Sequence, residues 1–351
     1  MDFKDYLREQ GELHPAMEPQ DAVKMAYQAA FGAEHLLADV EKAREYLIQE
    51  LERVPADARI PLVEDISEDM CRVNLAAWKA KGLPSDWLLK IFVLSAGGWK
   101  DSDDVFAAYL KQADEAVSGG WLDFTYDEWN AYIKEYMRDG VRAVHHSEGY
   151  RQAEKPAYRL AARCFVRILP VLEKAAALGT SARPSVIAID GRAASGKTTM
   201  AGQLRLILGG SIIRMDDFFL PPELRTEERF SQPGGNVHYE RFAEEVLPHI
   251  IDSREFTYMR FDCSSMDFDQ KPVKVSAGHW RIVEGSYSHH PQLGDYADLR
   301  IFSDVDPETQ MERIIVRNGH EMAEVFRSRW IPLEEEYFRT VNIAEKADMK
   351  V

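Results

Sequence analysis

Gly191-Arg-Ala-Ala-Ser-Gly196-Lys197-Thr198 meets every fixed position of the pattern G-x-x-x-x-G-K-[ST]. An apolar run, Ser185-Val-Ile-Ala-Ile189, precedes it, and a helix-forming segment over 197–208 follows. Strand, loop and helix in that order are the context in which such a loop cradles phosphate. Glycines let the backbone curl so that amides from Gly191, Arg192, Ala193, Ala194, Ser195, Gly196, Lys197, Thr198 and Thr199 can face one anion. The helix beginning at Lys197 adds unsatisfied N–H groups and the positive end of its dipole. Lys197 is expected to reach the β- and γ-phosphates, and the Thr198 hydroxyl to ligate Mg²⁺. The stretch therefore predicts binding of a nucleoside triphosphate.

Downstream of Pro184 the texture is one of short β-branched runs separated by helical segments. Strands are expected at 185–189, 211–215, 280–284, 298–302 and 347–351, with helices at 197–208, 238–251, 307–317 and 321–340. Such alternation predicts an α/β domain over 184–351 with a doubly wound parallel sheet, the P-loop NTPase fold. The second strand runs into Met215-Asp216-Asp217-Phe218-Phe219, and the third ends in Val283-Glu284-Gly285. Both place carboxylates at the C-terminal edge of the sheet, where ligands bind in open α/β folds. Neither N-K-x-D, which reads guanine, nor L-S-G-G-Q occurs, which disfavours regulatory GTPases and transport ATPases.

Over about residues 184–351 the chain resembles the uridine kinase branch of P-loop kinases, with pantothenate kinase and phosphoribulokinase as relatives. The resemblance rests on I-D-G-R-A-A-S-G-K-T, the D-D-F-F of 216–219, the E-G of 284–285, the F-S-D-V-D of 302–306 and the segment from Arg313. It implies an ATP- and Mg²⁺-dependent kinase that phosphorylates a hydroxyl group of a small molecule, the nearest candidate being a nucleoside such as uridine. By the same resemblance Asp216 accepts the proton of the acceptor hydroxyl and helps to orient Mg²⁺, and Glu284 holds the metal or a water bound to it. Arg313 and Arg317 match lid arginines that close over the transferring phosphoryl group. Phe256-Thr-Tyr-Met-Arg-Phe-Asp262 matches a hairpin walling the acceptor pocket, which puts Asp217, Tyr258 and Arg260 on the substrate side. Alternatives stand beside each role. Asp216 as a metal ligand only, Asp217 as the more important neighbour, Glu284 as a helix cap, and Arg313 and Arg317 as surface partners of Glu308 or Glu312 are all consistent with the spacing.

Two departures from the pattern bear on the acceptor. Where uridine kinases carry N-F-D-H-P, this chain reads Asn236-Val237-His238-Tyr239-Glu240, so His238 stands in place of an aspartate that grips ribose. The lid's R-G-R is Asn318-Gly319-His320, with Arg327 and Arg329 as candidates to compensate. A pantothenate-like or sugar-like acceptor is the alternative substrate, and a nucleotide-dependent switch acting through the N-terminal region is the alternative function.

Residues 1–180 have no counterpart in the uridine kinases and are expected to form a separate all-α domain. Apolar stripes begin at Pro19, and helices are expected near 64–80, 85–96, 102–117, 126–138 and from Pro156 to Gly179. Pro170 should kink or divide the last of these. The boundary falls at Gly179-Thr-Ser-Ala-Arg-Pro184, and breaks fall at Gly82-Leu83-Pro84, Gly97-Gly98 and Gly119-Gly120. Five tryptophans, Trp78, Trp87, Trp99, Trp121 and Trp129, belong to this region and are expected in its core or grooves.

The 351 residues include 43 Lys and Arg against 59 Asp and Glu, a net charge of −16. That balance argues against non-specific nucleic-acid or anionic-membrane binding. The three cysteines, Cys71, Cys164 and Cys263, make neither a disulfide framework nor a CxxC site, which fits a reducing compartment. Met1-Asp2-Phe3-Lys4-Asp5 lacks a signal-peptide pattern, and no apolar run approaches the length of a membrane span, so a cytoplasmic location is expected. The histidines His35, His145-His146, His238, His279 and His289-His290 are expected to be solvated or hydrogen-bonded, with a metal site near His35 and His145-His146 as the sharper alternative.

Overall fold

The computed structural model describes residues 3–33, 39–96, 102–179 and 181–351. His35, Gly97-Gly98, Trp99 and Thr180 lie outside them. The chain divides into two compact units, Met1–Glu173 and Lys174–Val351. No helix among the described residues is long and apolar enough to cross a membrane.

The N-terminal unit is mainly helical. Its longer helices are Phe3–Leu13, Pro19–Phe31, Val40–Arg53, Ser85–Ser95, Ser102–Ser118 and Tyr126–Arg138. Local chemistry fixes where they start. Asp39 caps the amides of Glu41 and Lys42, and Thr125 with Glu128 forms a reciprocal capping box. The expectation of an all-α unit needs one correction. Strands β1 (Val63–Asp65), β2 (Met70–Asn74) and β3 (Tyr158–Ala162) form an antiparallel sheet in that order, with Cys71 opposite Ala161. Hence 64–80 is two strands followed by the short helix Leu75–Ala80, and the helix expected from Pro156 is β3, a 3-10 helix over Arg163–Ile168 and a helix over Leu169–Ala177. The β2–β3 pairing is long-range, so no local periodicity announces it, and the short helix-compatible run Met70-Cys-Arg-Val-Asn74 carries no turn signal of its own. Pro170 sits in the first turn of Leu169–Ala177, where its missing N–H costs no intrahelical bond.

Phe3, Tyr6, Phe106, Trp129 and Tyr136 are fully buried in this unit, and at its centre runs a buried polar chain. Both Asp21 oxygens are engaged: one accepts from the Ser147 amide at 3.0 Å and lies 2.7 Å from His146 Nδ1, and the other accepts from the Ser147 hydroxyl at 2.7 Å. His146 Nε2 lies 2.9 Å from the Tyr158 hydroxyl, which accepts from Gln28, and Gln28 in turn accepts from Arg72 at 3.0 Å. Burial drives the His146 pKa down to about 4, so the ring is neutral, with Nδ1–H donating to Asp21 and Nε2 accepting from Tyr158. His146 is thus a hydrogen-bonded core histidine, and no group of three or more metal-binding side chains occurs among the described residues.

In the C-terminal unit the strands are β4 (Ser185–Gly191), β5 (Ser211–Arg214), β6 (Phe256–Tyr258), β7 (Phe261–Asp262), β8 (Asp267–Phe268), β9 (Val273–Val275), β10 (Trp280–Glu284), β11 (Leu299–Ser303) and β12 (Met349–Lys350). Five of them make a sheet of order β12-β11-β4-β10-β5, parallel throughout. The loop-bearing strand β4 is central, and all seven of its residues are buried, as a strand covered on both faces requires. β6 pairs with β9 and β7 with β8, giving the expected hairpin between 255 and 275. β5 stops at Arg214, and Met215–Phe218 is a 3-10 helix, so Asp216 and Asp217 diverge by a helical turn rather than by strand alternation. The segment 238–251 is two short helices, Tyr239–Glu245 and Leu247–Ile250. The helix Pro307–Val325 breaks at Gly319 (φ 79°, ψ 168°) and runs through a π-helical turn, Phe326–Trp330, into Ile331–Val341.

Candidate active site

The Gly191–Thr198 loop is built into the sheet edge by close packing. Gly191 has φ 134°, and a Cβ there would lie 2.0 Å from the Ser303 carbonyl oxygen on the neighbouring strand β11. Glycine is therefore obligatory for both conformation and space. Just before it, the fully buried Asp190 accepts from the amides of Gly191 at 2.7 Å, Tyr287 at 3.0 Å and His289 at 2.9 Å, and from the Tyr337 hydroxyl at 2.9 Å. One carboxylate thus ties the end of β4 to the turn after β10 and to the helix Ile331–Val341.

That helix grips the loop a second time. Glu334, buried, accepts from the Ala193 amide at 2.9 Å and from the Ser286 hydroxyl at 2.7 Å. Burial raises its pKa, and the nearby Lys197 charge opposes the rise. Glu335 receives two bonds from the Arg192 guanidinium, which also pairs with Asp304. From the helix Pro307–Val325, Gln310 donates to the Ala193 carbonyl and Arg313 to the Ala194 carbonyl, each at 3.1 Å. Asp190, Ser286, Glu334, Glu335 and Tyr337 were not singled out from the sequence. Asp190 is adjacent to the motif and could have been, whereas nothing local marks the others.

Gly196, in a left-handed conformation, caps the helix Lys197–Leu208. The Lys197 ammonium lies across the loop, donating to the carbonyls of Gly191 and Arg192 at 2.7 Å each. Thr198 Oγ1 donates to Glu284 Oε2 at 3.2 Å, so the loop's hydroxyl and the last residue of β10 meet. Burial raises the Glu284 pKa, and the neighbouring Asp216 charge raises it further. Asp216 is exposed to solvent yet closely surrounded by protein atoms. That loss of hydration raises its pKa against the charges of Lys197, Arg317 and Arg214. Lys197, Thr198, Asp216 and Glu284 thus form one electrostatically coupled group. A hydroxyl and two carboxylates are the hard oxygen donors that Mg²⁺ takes when it keeps most of its waters, so these residues fit the ion.

The residues assigned to the acceptor side are placed differently. Asp217 is buried and accepts from the Tyr258 hydroxyl at 2.7 Å, so these two side chains engage each other. His238 caps the helix Tyr239–Glu245, its Nδ1 accepting from the Arg241 amide at 3.3 Å. Arg260 pairs with Asp269 at 2.8 Å. Arg313 touches the loop, while exposed Arg317 bonds Asn318 at 2.7 Å and acts on Asp216 through its charge. Neither arginine is paired with Glu308 or Glu312 among the described residues. Arg327 pairs with Glu324, and Arg329 lies over the rings of Phe230 and Trp330.

A central parallel strand, a glycine loop wrapped on a helix N-terminus, and carboxylates at or just beyond the adjoining strand ends define an α/β protein of the P-loop fold. Among solved structures the chain is similar to a candidate uridine kinase from Bacillus stearothermophilus, at 22% identity and a TM-score of 0.39 over 53% of this chain and 98% of that one. It is also similar to a candidate fructose transport system kinase from Silicibacter sp. TM1040, at 18% identity and a TM-score of 0.43 over 54% of this chain and 98% of that one. A third is the D-glycerate 3-kinase from Cryptococcus neoformans var. grubii, at 16% identity and a TM-score of 0.41 over 53% of this chain and 92% of that one. At these identities the likeness concerns the fold. No protein-family model matches the chain, and no curated protein matches it.

Proposed function

We propose that the chain is an ATP- and Mg²⁺-dependent kinase that transfers the γ-phosphoryl group to a hydroxyl of a small molecule. The observation that carries this reading is the coupled group of Lys197, Thr198, Asp216 and Glu284 at the mouth of the loop. Phosphoryl transfer needs positioning and charge neutralisation, together with a carboxylate to receive the hydroxyl proton. The loop amides and Lys197 would bind the phosphates. Thr198 and Glu284 would hold Mg²⁺, which supplies charge neutralisation on the phosphate oxygens. Asp216 is the carboxylate open to solvent, and its raised pKa moves it towards the range in which a general base works best. Asp217, spent on Tyr258, is poorly placed for that task. Arg313 and Arg317 would add positive charge over the transferring group.

Uridine loses support as the acceptor because His238, where a ribose-gripping aspartate is expected, caps a helix instead. The test is ATP consumption by the purified chain against a panel of hydroxyl compounds. Consumption that requires both Mg²⁺ and an acceptor supports the reading. Nucleotide hydrolysis indifferent to every acceptor would support a nucleotide-dependent switch instead.

A further inference from the structure

We infer that the N-terminal unit holds a binding site of its own, for the carboxylate of a small molecule, organised around the buried Arg72 and Tyr6. The site is independent of the kinase reading, since every residue in it belongs to Met1–Glu173.

Arg72 sits on β2, the central strand of the antiparallel sheet, opposite Glu64 of β1 and Leu160 of β3, and is 3% exposed. Three elements converge on its guanidinium. From the helix Phe3–Leu13, Gln10 Oε1 lies 3.5 Å from Nη1, and Tyr6, one turn earlier on the same face, has its ring centre 5.7 Å from the guanidinium carbon. From the helix Pro19–Phe31, Gln28 accepts from Nη2 at 3.0 Å. From β3, the Tyr158 ring centre lies 4.4 Å away. Gln28 is itself held by the Tyr158 hydroxyl, and that hydroxyl by the His146–Asp21 pair. The guanidinium is therefore oriented before any ligand arrives. Exposed Glu64 and half-buried Tyr158 both touch it, so it lies one side chain beneath the surface.

Two atoms of this cluster are left over. Arg72 Nε and the Tyr6 hydroxyl are buried, and neither has a hydrogen-bond partner among the described residues. The hydroxyl has the chemistry to accept from Nε–H, and the two do not bond each other. Buried polar groups are rarely left bare, so neighbouring ones that bypass each other point to a third group bonding both.

Charge decides what that group is. The carboxylate paired with Arg72 is Glu64, at 3.2 Å, whose side chain is 44% exposed, so water weakens its neutralising effect. Asp21 is fully buried, but its oxygens already serve His146, Ser147 and the Glu18 amide. Lys24, between Asp21 and Gln28 on one helix face, adds a second half-buried cation, 3.2 Å from the Val144 carbonyl. A water would satisfy the hydrogens and leave the charge. A carboxylate supplies two acceptor oxygens and one negative charge together. A phosphate dianion would bring a second charge, and Lys24 is already directed to a carbonyl.

The experiment melts the full chain at pH 7 and equal ionic strength in acetate, succinate, citrate, phosphate or chloride, and titrates the carboxylates by calorimetry. At least one carboxylate should raise the melting temperature of the wild type above its value in chloride. Tyr6→Phe keeps the ring and removes only the unpartnered hydroxyl, so in chloride it should melt at or above the wild type. Its affinity for that carboxylate should nevertheless be ~10-fold weaker, the scale of a lost hydrogen bond to a charged group. That opposition of signs is what a purely structural hydroxyl does not produce. Arg72→Gln should abolish the response where circular dichroism shows it folded, and Tyr6→Phe carries the test where it is not. No response to any carboxylate, or one equal in the wild type and Tyr6→Phe, would overturn the site. A Tyr6-dependent response to phosphate alone would overturn the choice of carboxylate.

Discussion

Thr198 Oγ1 and Glu284 Oε2 are 3.2 Å apart, joining the first turn of the helix after the loop to the end of β10. The pair converts two motifs separated in the chain into one oxygen-lined corner beside Lys197 and Asp216. A burial-raised carboxylate at that corner is costly when ionised and awaits a positive charge.

That cost has a sign that can be measured. The folded-state pKa of Glu284 is raised, so its contribution to stability is fully present below the ordinary carboxylate pKa and is lost as pH rises through the folded value. Glu284→Gln should therefore melt above the wild type at pH 7.5, with the gap closing near pH 4. Mg²⁺ with ATP should stabilise the wild type more than the variant. Melting curves at the two pH values check both statements, and a variant less stable than the wild type at pH 7.5 contradicts the first.

Lys197→Ala removes the ammonium lying across the loop. Transfer should fall by ~10²-fold or more, the usual scale for losing a fixed charge at a developing phosphoryl transition state. Stabilisation by Mg²⁺ with ATP should shrink in parallel, measured as the ligand-induced shift in melting temperature. Wild-type turnover in the variant would remove the loop from the mechanism.

Asp216→Asn should cost ~10²-fold or more in turnover while ATP affinity changes far less. Activity in the wild type should rise with pH through a value above the ordinary aspartate range, because the base must be ionised and burial raises its pKa. That limb should vanish in the variant. Asp217→Asn is the comparison. It replaces a buried partner of Tyr258, so its main effect should be on stability. A dead Asp217→Asn beside an active Asp216→Asn would reverse the two roles.

Two glycine substitutions separate backbone demand from helix propensity. Gly191→Ala drives a Cβ into the Ser303 carbonyl at φ 134° and should abolish ATP binding and destabilise the fold severely. Gly202→Ala, within the helix Lys197–Leu208 with open space around its Cβ, should stabilise by ~0.5–1 kcal/mol. Denaturant titrations of both variants give the comparison.

In the N-terminal unit, His146 has a pKa lowered to about 4 by burial, against ~6.5 in the unfolded chain. A depressed folded pKa means that stability is present above the unfolded value and is lost as pH falls towards 4. The loss over that window should be on the order of 3 kcal/mol. Urea titrations at pH 7 and pH 4.5, followed by fluorescence of Trp78 and Trp129, both buried in this unit, measure it.

The loop, its strand and its helix were legible because each depends on neighbours within a dozen residues: a buried apolar run, glycines at fixed spacing and a helix that follows at once. The carboxylates Asp216 and Glu284 were legible for a related reason, since Glu284 closes a recognisable strand and Asp216 follows another by two residues. Pairing was not. β2 and β3 come from distant parts of the chain and meet only because their buried residues share a core, so the N-terminal unit read as wholly helical.

The sequence by itself determined that residues 191–198 make a glycine-bearing loop between a strand and a helix of a parallel α/β sheet, because backbone conformation and apolar patterning are local properties. Only the tertiary structure decided which side chains surround that loop. Asp190 receives Tyr337, Glu334 accepts from the Ala193 amide, and Asp217 is taken up by Tyr258. Such partnerships depend on which buried polar group lies within hydrogen-bond reach of which other, and that distance is set by packing between elements far apart in the chain.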